Sequence, residues 1–357
     1  MKSTIITVYN SHNFGSYLQA KQLYVTLKQY SEPVFYDSNT RKIYKLLYRK
    51  CQKVIKNRLV FADIFKGVFF EIVEAVNTKR CWRSLPSVKK IDSKSDVYFL
   101  GSDEIWNIRR DICRIPVYWG AGLDGYKVAY APSVNNATIE DIKEYPDFVN
   151  YLKDINKISA RDVHSQETIS YFIGCMPELV LDPTMLAEPE KIDFDFNEPY
   201  IAVYVFGETL KKDDIQAIKK FSEQTKMPLI SAGQYISWCD LSVHSREGNP
   251  FYIFEKAAFV ITNTFHGTAY AINYNCQFAA FAEGKKKIIE LLDQFGLINR
   301  CVDTFSTLEY LYNKEINYTL TNDILRKLRI DSTQYIEESI SMYDFSVRGN
   351  EICLVLK

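Results

Sequence analysis

Short apolar runs alternate with amphipathic stretches along most of this chain. "TIITVY" (4–9) reads as a buried strand, and a glycine turn leads into "SYLQAKQLYVTLKQY". There Ala20, Leu23, Tyr24 and Leu27 fall at i, i+3, i+4 and i+7, one face of a helix, and Ser16 with Gln19 fits a capping box. The alternation repeats. "DVYFLGSDEIWN" (96–107) is a strand and turn, "YKVAYAPS" (126–133) a strand, and "INKISARDVHSQETISYF" a strand with a helix from about Asp162. "PELVLDPTML" (177–186) runs into a proline turn. The polar, aperiodic stretch near 187–198 reads as a linker. Beyond it come strand, helix and strand in "YIAVYVFG", "KDDIQAIKKFSEQT" and "MPLISAG". A helix at "PFYIFEKAAF" follows, then "FVITNT", "TAYAINYN", "QFAAFA" and "KKKIIELLDQFGL" as strand, helix, strand and helix. Two such series predict two α/β domains with mostly parallel sheets, 1–187 and 198–357. Ligands of such sheets bind beyond the carboxyl ends of the strands.

Residues 41–94 interrupt the pattern. They hold fifteen Lys and Arg against four Asp and Glu, a net of +11, so the rest of the chain carries −11. Ile43, Leu47, Cys51, Val54 and Ile55 keep helical spacing among the basic residues. Two readings fit: a solvated helical insertion, or a basic amphipathic helix on an anionic membrane or acceptor.

Composition narrows the class. At 357 residues and 47% hydrophobic the chain can fill two cores. A net charge of zero disfavours a nucleic-acid binder. No apolar run approaches the roughly 20 residues of a membrane span, and the N-terminus lacks a leader's apolar core. Eight scattered cysteines form no CxxC pair and no zinc spacing, which points to a reduced cytosol and to no metal site.

The candidate chemistry lies at the turns after strands. In "FVITNTFHGTAYAI", Thr264 can cap a helix, Gly267 lets a ligand approach the backbone, and His266 adds a titratable donor at an anion-attracting helix start. A plain capped turn reads the same way. Asp103, after Gly101 and Ser102, is a general base or acid, or a helix cap. Trp106 is core or a sugar platform. Arg161 offers a fork for carboxylate or phosphate, or pairs with Asp162 at the surface. The turn with Asn13, Gly15 and Ser16 can cradle a ligand, but neither GxGxxG nor GxxxxGK occurs.

The ordered set "NFGSYLQA", "FLGSDEIWN", "AYAPS", "ISARD", "LVLDPTML", "FVITNTFHGTAYAI" and "LLDQFGLINR" resembles the polysaccharide pyruvyl transferases over about residues 5–300. The GSD…WN and FHGT pieces are the most specific. Asn263 and Thr264 stand where the family usually has Asp and Ser, Asp162 where it has Glu, and a lysine among 285–287 where it often has Arg. The resemblance implies two Rossmann-like domains with a cleft between them, as in GT-B enzymes. It also implies transfer of pyruvate from phosphoenolpyruvate, a co-substrate rather than a cofactor, to a sugar or lipid-linked oligosaccharide. In that scheme His266, Asp103 and Arg161 are catalytic. Asn13, Gly15, Ser16, Gly101, Ser102, Thr264, Gly267 and Thr268 bind substrate. The protein would work in the cytoplasm at the inner face of the membrane. Two other readings compete: a nucleotide-sugar glycosyltransferase of similar architecture, and a non-catalytic glycan- or anion-binding protein.

Overall fold

The computed structural model describes residues 1–37, 61–90, 95–206, 210–304 and 307–355. The basic segment read at 41–58 lies outside the described residues.

The first half runs β1 (Lys2–Ile6), α1 (Phe14–Leu27), β2 (Glu32–Tyr36), α2 (Phe61–Arg83), β3 (Ser87–Val88), β4 (Val97–Leu100) and β5 (Tyr126–Ala129). It continues with α3 (Ile139–Lys143), α4 (Pro146–Lys153), β6 (Lys157–Ala160), α5 (Val163–Ile173) and β7 (Glu178–Leu179). These strands make one sheet in the order β3-β2-β1-β4-β5-β6-β7, and every pairing is parallel. The second half runs β8 (Ile201–Tyr204), α6 (Lys212–Thr225), β9 (Leu229–Ala232), β10 (Leu241–Val243), β11 (Phe259–Thr262) and α7 (Phe265–Asn273). Next come β12 (Phe278–Phe281), α8 (Lys286–Gln294), β13 (Cys301–Val302), α9 (Leu308–Asn313) and α10 (Thr319–Val355). Its sheet, β10-β9-β8-β11-β12-β13, is also wholly parallel. The fold is therefore two Rossmann-like units, as the alternation of runs predicts.

The central strands show why. All four residues of β4 (VYFL) and of β11 (FVIT) are buried, because helices cover both faces of a parallel sheet. In each sheet the chain winds outward from one strand, then restarts on that strand's other side. The switch falls between β1 and β4 in the first sheet and between β8 and β11 in the second. Such a point leaves a crevice at the carboxyl ends of the two strands. The turns after β1, β4 and β11 carry the candidate residues.

Four local readings need correction. Helix α1 starts at Phe14 and is capped by Asn13, whose side chain accepts the Gly15 amide, so Ser16 is no capping residue. The stretch 250–259 forms only a 3-10 turn, Phe251–Phe254, whose four aromatic and aliphatic side chains are all buried. Helix α7 begins at Phe265 rather than Thr268, which puts His266 and Gly267 inside its first turn. The 37-residue helix α10 has no counterpart among the elements the sequence pattern predicts. It joins the two units: Thr321 bonds the Phe295 carbonyl, while Ser332 reaches Leu181 just past β7, and Tyr335 and Glu338 reach Ala129 and Lys157 of the first sheet. Between Met185 and Ile201 there is no regular element, and Phe194 and Phe196 of that stretch pack edge-on to Tyr200. Among the described residues no helix is long and apolar enough to cross a membrane.

Candidate active site

The turn after β4 is fixed before any ligand arrives. Thr7 donates to the Ser102 carbonyl at 2.8 Å, Ser102 to the Ala131 carbonyl at 2.9 Å, and the Ser133 amide to the Asp103 carbonyl at 2.9 Å. Gly101 has φ +109°, and a Cβ there would run into the Tyr130 carbonyl. Asp103 has φ +75°, a left-handed backbone that only a firmly held surrounding maintains. Its carboxylate accepts the Ser16 hydroxyl at 2.5 Å and the Glu104 amide at 2.8 Å.

Arg161, at the end of β6, brings the other charges together. Its side chain is almost fully buried. It donates to Asp182 at 2.9 Å, lies 4.0 Å from Asp103, and places its guanidinium 4.8 Å from the Phe265 ring centre. Asp162 instead caps α5, accepting the Ser165 amide and the Ser133 hydroxyl, so the surface-pair alternative for Arg161 falls.

His266 crosses from the second unit. Its ring lies over Gly15, where a Cβ would come within 2.0 Å of its Nδ1, and its Nε2 is 3.8 Å from Asp182. That Nε2 is buried without a hydrogen bond. Thr264 caps α7 as expected, accepting the Gly267 amide at 2.9 Å. Gly267 has a different reason from the one the sequence suggested. A side chain there would collide with the Thr262 and Thr264 hydroxyls, so the glycine lets the helix pack on β11. Thr268 is fully buried and donates to the Thr264 carbonyl, and Ser102 is fully buried as well. Those two residues hold the turns rather than line the cleft. Trp106 is core: its Nε1 donates to Tyr118 and its ring stacks on Trp119. Asn263, where the family usually has Asp, clamps the end of β8 through the Phe206 amide at 2.7 Å and carbonyl at 3.3 Å.

Three further charged residues complete the cluster. Asp182 follows β7 and also accepts the Thr184 amide and hydroxyl. Glu104 and Lys287 form an ion pair of 2.5 Å across the cleft. The Asp-Pro dipeptide and the triple lysine 285–287 were visible in the sequence, but neither says what it faces. A cavity beside this cluster is lined by Arg161, Asp182, Phe265, Lys287 and Glu290.

The charges set one another. Burial pushes the Asp103 and Asp182 carboxyls up. Arg161, His266 and the donated hydrogen bonds outweigh it and hold both below the usual carboxylate range. Burial likewise works against Arg161, but Asp182 and Asp103 raise it above its ordinary value. His266 goes the other way: burial, with Arg161 and Lys287, lowers it in spite of the two carboxylates. Near neutral pH the free cluster therefore holds three carboxylates, two cations and a neutral imidazole. Of the two states the sequence left open for this titratable residue, burial favours the neutral imidazole.

Two parallel sheets whose switch-point turns meet across a charged cleft define the class: a GT-B-like enzyme fold. A sequence model of polysaccharide pyruvyl transferases matches residues 13–284, and the chain belongs to that family. Among solved structures it is similar to the UDP-GlcNAc 2-epimerase of Neisseria meningitidis bound to UDP-GlcNAc, at 9% identity and TM-score 0.53, covering 96% of this chain and 100% of that one. A second UDP-N-acetylglucosamine 2-epimerase gives 8% identity and TM-score 0.52 over 96% of each chain. At such identities the likeness is one of fold. No curated protein sequence matches the chain.

Proposed function

We propose that this protein transfers pyruvate from phosphoenolpyruvate to a sugar of a cell-surface polysaccharide or its lipid-linked precursor, forming a cyclic ketal, in the cytoplasm at the inner face of the membrane. The observation that carries the reading is the meeting of Arg161, Asp103 and Asp182 with His266 across one cleft. The donor has a phosphate and a carboxylate. The first turn of α7 with His266 suits one, and the Arg161 fork the other. Protonation of the donor's methylene carbon makes C2 electrophilic. A sugar hydroxyl then adds, phosphate leaves, and a second hydroxyl closes the ring. In this scheme His266, protonated once the anion is bound, is the proton source. Asp103, held ionised, takes the hydroxyl proton directly or through Ser16. The test is mass spectrometry of glycan acceptors incubated with protein and phosphoenolpyruvate, which should gain a pyruvyl ketal. Stabilisation by nucleotide sugars but not by phosphoenolpyruvate in a thermal shift would favour a glycosyltransferase instead.

The charge count makes a separate prediction. An anion entering beside three carboxylates raises the His266 pKa, so binding takes up a proton at pH values just above the free-site value. Phosphoenolpyruvate affinity should fall as pH rises above the free-site value, by up to about tenfold per unit while uptake approaches one proton. Calorimetry in buffers of different ionisation enthalpy measures that uptake. His266→Gln should abolish it, and zero uptake in the parent would remove His266 from the donor site.

A further inference from the structure

Helix α2, inside the basic insertion, has one face fixed and one face bare. On the fixed face Phe70, Glu71, Glu74, Ala75 and Thr78 are buried. Glu74 shares a 2.9 Å hydrogen bond with His244 Nδ1 and also takes the Ser245 amide and hydroxyl. The Phe70 ring stacks on that imidazole at 4.0 Å. A helix from the first half of the chain is thus bolted to the second unit, and its orientation is set.

The opposite face is a stripe. Phe65, Phe69, Ile72 and Val76 are 68%, 60%, 42% and 48% exposed. Their spacing of four, three and four residues keeps them on one side of the helix, and the same spacing continues through Arg80 and Arg83. Lys66 flanks the stripe, and Lys89 and Lys90 follow the helix. Immediately before it in the sequence, residues 41–60 hold eight Lys and Arg and no Asp or Glu. A row of bare aromatic and aliphatic side chains continuing into cations matches a surface that is apolar below and anionic above.

We propose that this face of α2 docks the protein on an anionic lipid bilayer, with Phe65 and Phe69 entering the headgroup boundary and Arg80 and Arg83 on the headgroups. Charge decides the occupant. A second copy would bring the same exposed cations, Lys66, Arg80, Arg83, Lys89 and Lys90, against the first, whereas an anionic leaflet neutralises them. The inference goes beyond the chemistry proposed above, and its test reads no turnover.

The test is sedimentation of the full chain with phosphatidylcholine vesicles, with and without phosphatidylglycerol. The parent should sediment only with the anionic vesicles, and added salt should release it. Phe65→Ser with Phe69→Ser should weaken that binding at least about tenfold without lowering the melting temperature. Arg80→Glu with Arg83→Glu should weaken it by on the order of five-fold or more per residue. The proposal is overturned by a parent that ignores anionic vesicles, or by either pair binding as the parent does. It is equally overturned if the serine pair melts earlier, which would mean the stripe is covered within the chain. Conversion of a dimer to a monomer by that pair in ultracentrifugation would make the stripe a face between copies and overturn it too.

Discussion

Asp182→Ala should destabilise the protein by about 3–5 kcal/mol, the usual cost of leaving one member of a buried ion pair without its partner. Arg161 and Asp182 are each at most 2% exposed at the side chain and lie 2.9 Å apart. With Asp182 gone, the nearest carboxylate left to the guanidinium is Asp103, at 4.0 Å. Thr184 also loses the acceptor for its amide and hydroxyl, which form the turn after β7. Urea unfolding of the parent, Asp182→Ala, Arg161→Ala and the double variant measures the effect. The double should lose clearly less than the sum of the singles, because the second change removes a charge already stranded. A single-variant loss below about 1 kcal/mol would mean that the pair contributes no net stability and that Asp182 is kept for the cleft alone.

The parts of this site that were legible in the sequence are those with a local grammar. A strand followed by Gly101-Ser102-Asp103, or by a threonine cap and His266-Gly267, announces a turn with a side chain presented from it. Arg161 at a strand end was readable for the same reason. Asp182 was not. Its neighbours Pro183 and Thr184 describe an ordinary turn, and its importance comes from Arg161, 21 positions earlier, and from His266 in the other unit. Lys287 was hidden among three consecutive lysines; only the crossing of the cleft to Glu104 separates it from Lys285, which bonds the Asn263 carbonyl. Helix α10 escaped because its buried face mixes Leu325, Tyr335 and Ile336 with Ser332 and Ser339. Those serines bury as completely as the apolar residues but break the hydrophobic period that would have revealed the helix. The reading of Gly267 failed differently. The glycine was expected to admit a ligand, and the structure shows neighbouring threonine hydroxyls in that space.

Gly15→Ala separates stability from catalysis most sharply, and turnover should fall at least about 100-fold while the fold is undisturbed. Gly15 is the second residue of α1, a first-turn position that accepts alanine at least as well as glycine. On its own helix the substitution is therefore neutral or stabilising. The new methyl group would clash with the His266 imidazole, 2.0 Å from its Nδ1, and the ring, which belongs to the other unit, must swing away. A catalytic group displaced by about 1 Å can lose 10²-fold in rate, and the ring here is displaced by more than that. Ser16, the next residue, keeps its bond to Asp103, so the carboxylate side of the cleft stays in place. Steady-state turnover, together with melting temperature, reads both consequences. Combining Gly15→Ala with His266→Ala supplies the decisive comparison. If the glycine acts only by making room for the imidazole, the double variant should be no slower than His266→Ala alone, since there is then no ring to displace. A further loss in the double variant would show that Gly15 meets the donor itself, and parent-like turnover in Gly15→Ala would show that the position of His266 over α1 plays no part in the reaction.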